Sequence, residues 1–166
     1  MKIRIDKILS LDDGEHRFHY AVPGRELGID LKDFEGHEIF DQDVVTDVVL
    51  NKSGHTYYVK FKVASQAHLL CDRCLDEVRR EISGEFSIVF AESRSRSDNE
   101  ETDVRSIDTR NTNEIVLDKD VIDTLMLAMP SKSLCREDCK GLCPECGTNW
   151  NESLCRHYDE IVNEKI

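Results

Sequence analysis

The stretch CREDCKGLCPECGTNWNESLCRH, residues 135–157, carries five of the chain's seven cysteines and one of its six histidines. The other two cysteines sit together in CDRC, at 71–74. Paired thiolates two residues apart, repeated at a distance, are the sequence form of a zinc ribbon, so the middle and the end of the chain have to meet. In CPECG, Pro144 stiffens the turn, and Gly147 is free to take the positive φ that lets amides approach the sulfurs.

Counting ligands sharpens this reading. Cys71, Cys74, Cys135, Cys139, Cys143, Cys146 and Cys155 with His157 make eight, enough for two tetrahedral sites. The pairing stays open. Cys71 and Cys74 join either Cys143 and Cys146, leaving Cys135, Cys139, Cys155 and His157, or Cys135 and Cys139, leaving Cys143, Cys146, Cys155 and His157. A single site with spare thiols is the third arrangement, so the expectation is one or two zinc ions. Structural zinc contributes roughly 10–16 kcal/mol of apparent folding free energy in small peptides. That exceeds what a weakly apolar tail gains from burial, so the metal would staple the tail to the rest of the chain. The rival chemistry is thiol exchange or redox sensing, but a thioredoxin-like CxxC belongs at a helix start after a strand in a βαβ setting, and the surroundings here read as antiparallel β.

The compartment agrees with metal rather than disulfides. MKIRIDKILS lacks the unbroken apolar stretch of a signal peptide, and no segment approaches the roughly 18 apolar residues of a membrane span. The expectation is a cytoplasmic protein with no membrane partner, where thiols stay reduced. With 39% hydrophobic and 34% charged residues, the chain has enough apolar content for a modest core and a highly solvated remainder. The formal net charge of −12 argues against a general basic surface for nucleic acid and favours a basic partner. The remaining histidines form no catalytic spacing, and no phosphate loop or nucleophile elbow is present. The reading is therefore not an enzyme, with no small-molecule substrate.

Residues 55–65, HTYYVKFKVAS, alternate strictly, with Tyr57, Val59, Phe61 and Val63 on one face. Together with DVVTDVVLN and the turn residues NKSG before them, residues 44–65 predict a hairpin. LDEVRREIS fits helix or strand; EFSIVF at 85–90 favours strand, with Gly84 a bulge or bend. KIRIDKIL and RFHYAV read as short strands. In VLDKDVIDTLMLAMP, Asp118 or Asp120 caps a helix with the apolar stripe Val121, Ile122, Leu125, Met126 and Met129, stopped by Pro130. The expected fold class is α+β, mainly an antiparallel β domain with one C-terminal helix and a small cysteine-rich zinc-binding module. The expected parts are a β-rich domain at 1–91, an acidic flexible loop or linker at 92–114, and the helix with the zinc module at 115–166.

CDRCLDEVRREI, an acidic loop and VIDTLMLAMPSKSLCREDCKGLCPECGTNWNESLC together resemble the YceD family, the large ribosomal RNA subunit accumulation proteins. The resemblance covers roughly residues 40–157. Cys71, Arg73 and Cys74 match the family's central CxRC element; Cys135, Cys139, Gly141, Leu142, Cys143, Cys146 and Gly147 match its C-terminal cluster. The resemblance implies a bacterial ribosome-biogenesis role in accumulation of 23S rRNA and assembly of the large ribosomal subunit. The partners it implies are the large-subunit rRNA precursor and a basic ribosomal protein, ribosomal protein L32 being a candidate because the family's genes tend to lie beside its gene. On this view the acidic chain shields or delivers the basic protein, and Arg73, Arg79 and Arg80 supply an RNA-binding contact. Surface pairing of these arginines with Asp72, Asp76 and Glu77 is the plainer alternative.

Overall fold

The computed structural model describes residues 4–32, 36–92, 104–108 and 110–163. Its strands are β1 (Arg4–Asp6), β2 (Gly14–Pro23), β3 (Asp43–Ser53), β4 (Thr56–Leu70), β5 (Glu77–Glu92), β6 (Val104–Ile107) and β7 (Glu114–Val116). Helices are α1 (Asp118–Leu127) and the short α2 (Tyr158–Asn163), with 3₁₀ turns at Ile8–Ser10 and Gly24–Leu27. The chain divides into two units. The first comprises Met1–Leu31, Phe40–Ala67 and Glu81–Met129; the second comprises Lys32–Ile39, His68–Arg80 and Pro130–Ile166.

The main sheet has the order β2-β3-β4-β5-β6. The predicted hairpin is β3 with β4, antiparallel in the register Val48↔Phe61, closing at Ser53↔Thr56. Its turn is tighter than NKSG suggests, since β3 continues to Ser53 and only Gly54, at φ +56, and His55 lie between the strands. The alternation holds. Tyr57, Val59, Phe61 and Val63 are buried to within 1% of fully, as are Val44, Val48 and Leu50 across the pair, while Tyr58 on the other face is 52% exposed. β2 pairs antiparallel with β3, placing Val22 opposite Val44, and RFHYAV is its second half.

LDEVRREIS is strand from Glu77 onward, continuous with EFSIVF in β5. Gly84 is needed there for close packing: a Cβ on it would lie 2.9 Å from Thr124 Cγ2 and 3.2 Å from the Thr124 carbonyl oxygen. α1 therefore presses its backbone against β5 at this point, with Val121 and Leu125 fully buried. The expected aspartate cap is not made. The residue at the N-cap is Leu117, itself buried, and no side chain caps the helix. Asp120 is occupied elsewhere: its buried carboxylate takes a bidentate pair from Arg105 of β6.

Of the acidic stretch 92–114, residues 93–103 and 109 lie outside the described residues. Among the rest, Val104–Ile107 is a strand, running parallel to β5 with Val89↔Val104 in register. Low apolar content hid it, because Ile107 is its one buried side chain and Arg105 anchors it through charge. β1 pairs with β7 in a separate two-stranded sheet, Ile5↔Ile115, both buried. The fold is thus mainly β with few helices, as expected; among the described residues the short α2 joins the expected helix α1. α2 has only six residues, too short to show a helical period.

Unit two is built differently. Among its described residues the buried apolar side chains are Cys71, Cys74, Cys139 and Cys143, and no aliphatic or aromatic residue is buried there. Val78, Leu134 and Leu142 are partly buried against the first three of these thiols. Trp150 meets Tyr158 of α2 edge-on at 5.1 Å, and the Lys140 ammonium lies 5.9 Å over the Tyr158 ring. Among the described residues no helix is long and apolar enough to cross a membrane.

Candidate metal centre

Two turns of the same design present the paired thiols. In the turn joining β4 to β5, the Cys71 amide donates to the Asp76 carbonyl at 2.9 Å and the Leu75 amide to the Cys71 carbonyl at 2.9 Å. In the second turn, the Cys143 amide donates to the Thr148 carbonyl at 2.9 Å and the Gly147 amide to the Cys143 carbonyl at 2.9 Å. The residue after each CxxC is left-handed, Leu75 at φ 63 and Gly147 at φ 71. Gly147 thus takes the conformation its identity suggests, whereas Leu75 adopts it against the Cβ penalty. The bridge between Leu142 and Asn149 closes the base of the second turn.

The eight candidate ligands fall into two sets of four. Cys71, Cys74, Cys135 and Cys139 form one; Cys143, Cys146, Cys155 and His157 form the other, with ligand atoms in each set all within 4.8 Å of one another. This grouping corresponds to the second of the pairings left open by the sequence: the two CxxC turns lie in different sets, and the eight side chains do not gather at one point.

The donor geometry fits zinc. Four sulfurs about 2.3 Å from a tetrahedral zinc are spaced roughly 3.8 Å apart, and an imidazole nitrogen lies about 3.6 Å from such a sulfur. Cys71 Sγ lies 3.7 Å from Cys139 Sγ, Cys74 Sγ lies 3.5 Å from Cys135 Sγ, and Cys143 Sγ lies 3.7 Å from His157 Nδ1. The two sets are therefore consistent with metal binding, one with four sulfurs and one with three sulfurs and a nitrogen.

Polar groups around the sulfurs separate their acidities. Burial works to raise the Cys71 thiol, yet the amides of Cys135, Cys74 and Arg73 bring it down to about 6. Cys74 moves the other way, pushed up by burial and by the Asp76 carboxylate, whose Oδ2 accepts from its thiol at 3.0 Å. In the second set the Thr148 hydroxyl and amide, then His157, hold Cys146 at about 6, while burial raises Cys143.

Two of the three candidate RNA-binding arginines make hydrogen bonds within unit two. Arg73 Nη1 donates to the Cys139 carbonyl at 2.8 Å and the Glu137 carbonyl at 3.4 Å, while the Arg73 carbonyl accepts from the Leu142 amide at 3.0 Å. Arg80 donates to the Leu134 carbonyl at 3.1 Å. Arg79 is exposed on the strand between them. Backbone carbonyls thus hold Arg73 and Arg80, a role sequence reasoning did not assign to them. Asn149, Trp150 and Asn151 were also missed. Asn151 donates to Cys139 Sγ at 3.3 Å and accepts from the Lys140 amide at 2.8 Å; Trp150 Nε1 donates to Cys155 Sγ at 3.3 Å; Asn149 donates to Asp76. The available signal was a lone tryptophan flanked by amides inside a cysteine cluster.

The family model described as Large ribosomal RNA subunit accumulation protein YceD matches residues 59–165. Proteins described as uncharacterized in Mycobacterium bovis and Mycobacterium tuberculosis are each 36% identical over 77 residues, 46% of this chain and 37% of theirs. One in Mycobacterium leprae is 33% identical over 81 residues, 48% of this chain and 36% of its own. The chain thus spans little more than a third of the length of these curated relatives. No solved structure matches it significantly.

Proposed function

Because the chain belongs to the YceD family, we propose that it is a non-catalytic ribosome-assembly factor supporting 23S rRNA accumulation and large-subunit biogenesis. The family's description, large ribosomal RNA subunit accumulation, is the observation that carries this reading. Zinc fits both clusters: Cys71, Cys74, Cys135 and Cys139 would hold one ion, and Cys143, Cys146, Cys155 and His157 the other. Four protein ligands complete each tetrahedron, the arrangement of structural rather than catalytic zinc. Bound metal would supply the cohesion that unit two, whose buried apolar side chains among the described residues are cysteines, does not obtain from aliphatic burial.

The net charge of −12 favours a basic ribosomal protein as the direct partner, since like charges repel rRNA phosphates. Contact with rRNA would then fall to Arg73, Arg79 and Arg80, which are all exposed. The proposed setting is the cytoplasm. Depleting the protein and separating ribosomal particles by sedimentation tests the role, with crosslinking to identify the direct partner. Loss of large subunits and of 23S rRNA is expected; normal subunit ratios would remove the ribosomal reading.

A further inference from the structure

The two clusters differ in how open they are. In the first, Cys71, Cys74 and Cys139 are 0%, 3% and 3% exposed, and Cys135 alone reaches the surface. Val78, Leu134 and Leu142 pack around the buried three. In the second, only Cys143 is buried; Cys146 is exposed, and Cys155 and His157 are half-buried. An oxidant in water meets one edge of the first set and most of the second.

Resting on the zinc reading above, we propose that the second cluster is a site of oxidative modification, at which a peroxide attacks Cys146 and the ion is released while the first cluster keeps its own. Reaction at a thiolate requires access to the sulfur, and a disulfide requires a second thiolate within reach. Cys146 meets both conditions, because Cys143 and Cys155 lie within 4.8 Å of it.

The chemistry balances in two steps. The Cys146 thiolate attacks one peroxide oxygen, an S–O bond forms, the O–O bond breaks, and hydroxide leaves and takes a proton to become water. Cys143 or Cys155 then attacks the sulfenic sulfur, an S–S bond forms, and a second water departs with a proton from solvent. Two thiolates lose two electrons, hydrogen peroxide gains them, and zinc loses two of its four ligands. Cys135 is also exposed, but the other three thiols of its set, Cys74 at 3.5 Å among them, are at most 3% exposed. A sulfenate there would have to be resolved by a thiol embedded in the core of the module.

The experiment uses the full chain loaded with zinc. Bound metal is counted first; hydrogen peroxide is then added while released zinc is followed with a chromogenic chelator, and oxidised cysteines are mapped by differential alkylation and mass spectrometry. One equivalent is expected to leave about tenfold faster than the other. The early disulfide should contain Cys146, with Cys71, Cys74 and Cys139 still reduced. Cys146→Ser should abolish the early disulfide, and Cys135→Ser should leave it in place. Mapping in the unmodified chain keeps the test valid should Cys146→Ser fold poorly. Simultaneous release of both ions, or first oxidation at Cys135, overturns the inference and leaves the zinc reading standing. A chain that carries no zinc before oxidant is added overturns both.

Discussion

The guanidinium of Arg73 donates to the carbonyl oxygen of Cys139 at 2.8 Å, across 66 residues of sequence. The same residue's carbonyl accepts from Leu142, so Arg73 grips the C-terminal cysteine segment with both side chain and backbone. Only the side-chain half is lost in Arg73→Ala. Zinc affinity at the first cluster should fall roughly 10- to 100-fold, the usual effect of removing a group that orients metal ligands. Competition with a chelator of known affinity reads this directly. Unchanged affinity, with weaker binding to rRNA, would return Arg73 to the contact role its sequence position first suggests.

Leu75 and Gly147 occupy equivalent positions after their CxxC pairs, both left-handed, yet only one is glycine. A left-handed non-glycine residue costs about 1–2 kcal/mol, partly offset by the greater backbone entropy of glycine in the unfolded chain. Leu75 is half exposed, so little packing is lost with its side chain. Leu75→Gly is expected to stabilise the zinc-loaded protein by ~0.5 kcal/mol and Gly147→Ala to destabilise it by ~1 kcal/mol. Denaturant midpoints at saturating zinc measure both. A loss on Leu75→Gly would mean that the exposed leucine packs in a way its half-exposure does not reveal.

Where local pattern and tertiary need coincide, the sequence was sufficient. The Tyr57, Val59, Phe61, Val63 alternation places β4 because one face of the sheet is buried along its length. The eight candidate side chains stand out in the sequence because thiol spacing encodes turn geometry, but their division into two clusters depends on how distant turns meet, which no local spacing states. β6 was illegible for a related reason. Its anchor is the Arg105–Asp120 ion pair across 15 residues, and apolar periodicity carries no trace of it. Asp120 at a helix start invites a capping assignment, yet the buried Leu117 holds the N-cap and turns the aspartate toward β6 instead.

That ion pair gives a third expectation. Asp120 is 5% exposed on its side chain and Arg105 is 50% exposed, so the partners do not tolerate loss of each other equally. Arg105→Ala strands a buried carboxylate, whereas Asp120→Asn leaves an arginine that water can solvate. Breaking a fully buried pair costs about 3–5 kcal/mol. With one partner half exposed, ~2 kcal/mol is expected for Arg105→Ala and less for Asp120→Asn. Thermal or denaturant unfolding of the two variants tests the order, and equal losses would count against a stranded-charge mechanism.

Removing metal should act on one unit and spare the other. Unit one buries Tyr57, Phe61, Leu50, Val44, Val48, Leu117 and Leu125 in a core that owes nothing to cysteine. Among the described residues of unit two, Cys71, Cys74, Cys139 and Cys143 are the buried apolar side chains, and reduced thiols without metal are a poor substitute for aliphatic packing. With zinc stripped by a strong chelator under reducing conditions, amide exchange at 135–157 is expected to accelerate by orders of magnitude, because local opening then costs little free energy. Amides of β3 and of β4 up to Ala67 should keep their protection. Restoring zinc should restore the protection of 135–157. Exchange mapped by proteolysis and mass spectrometry distinguishes the two segments in one experiment. Uniform loss of protection would show that the sheet also depends on the metal, and no change at all would remove zinc from the folding of the cysteine module.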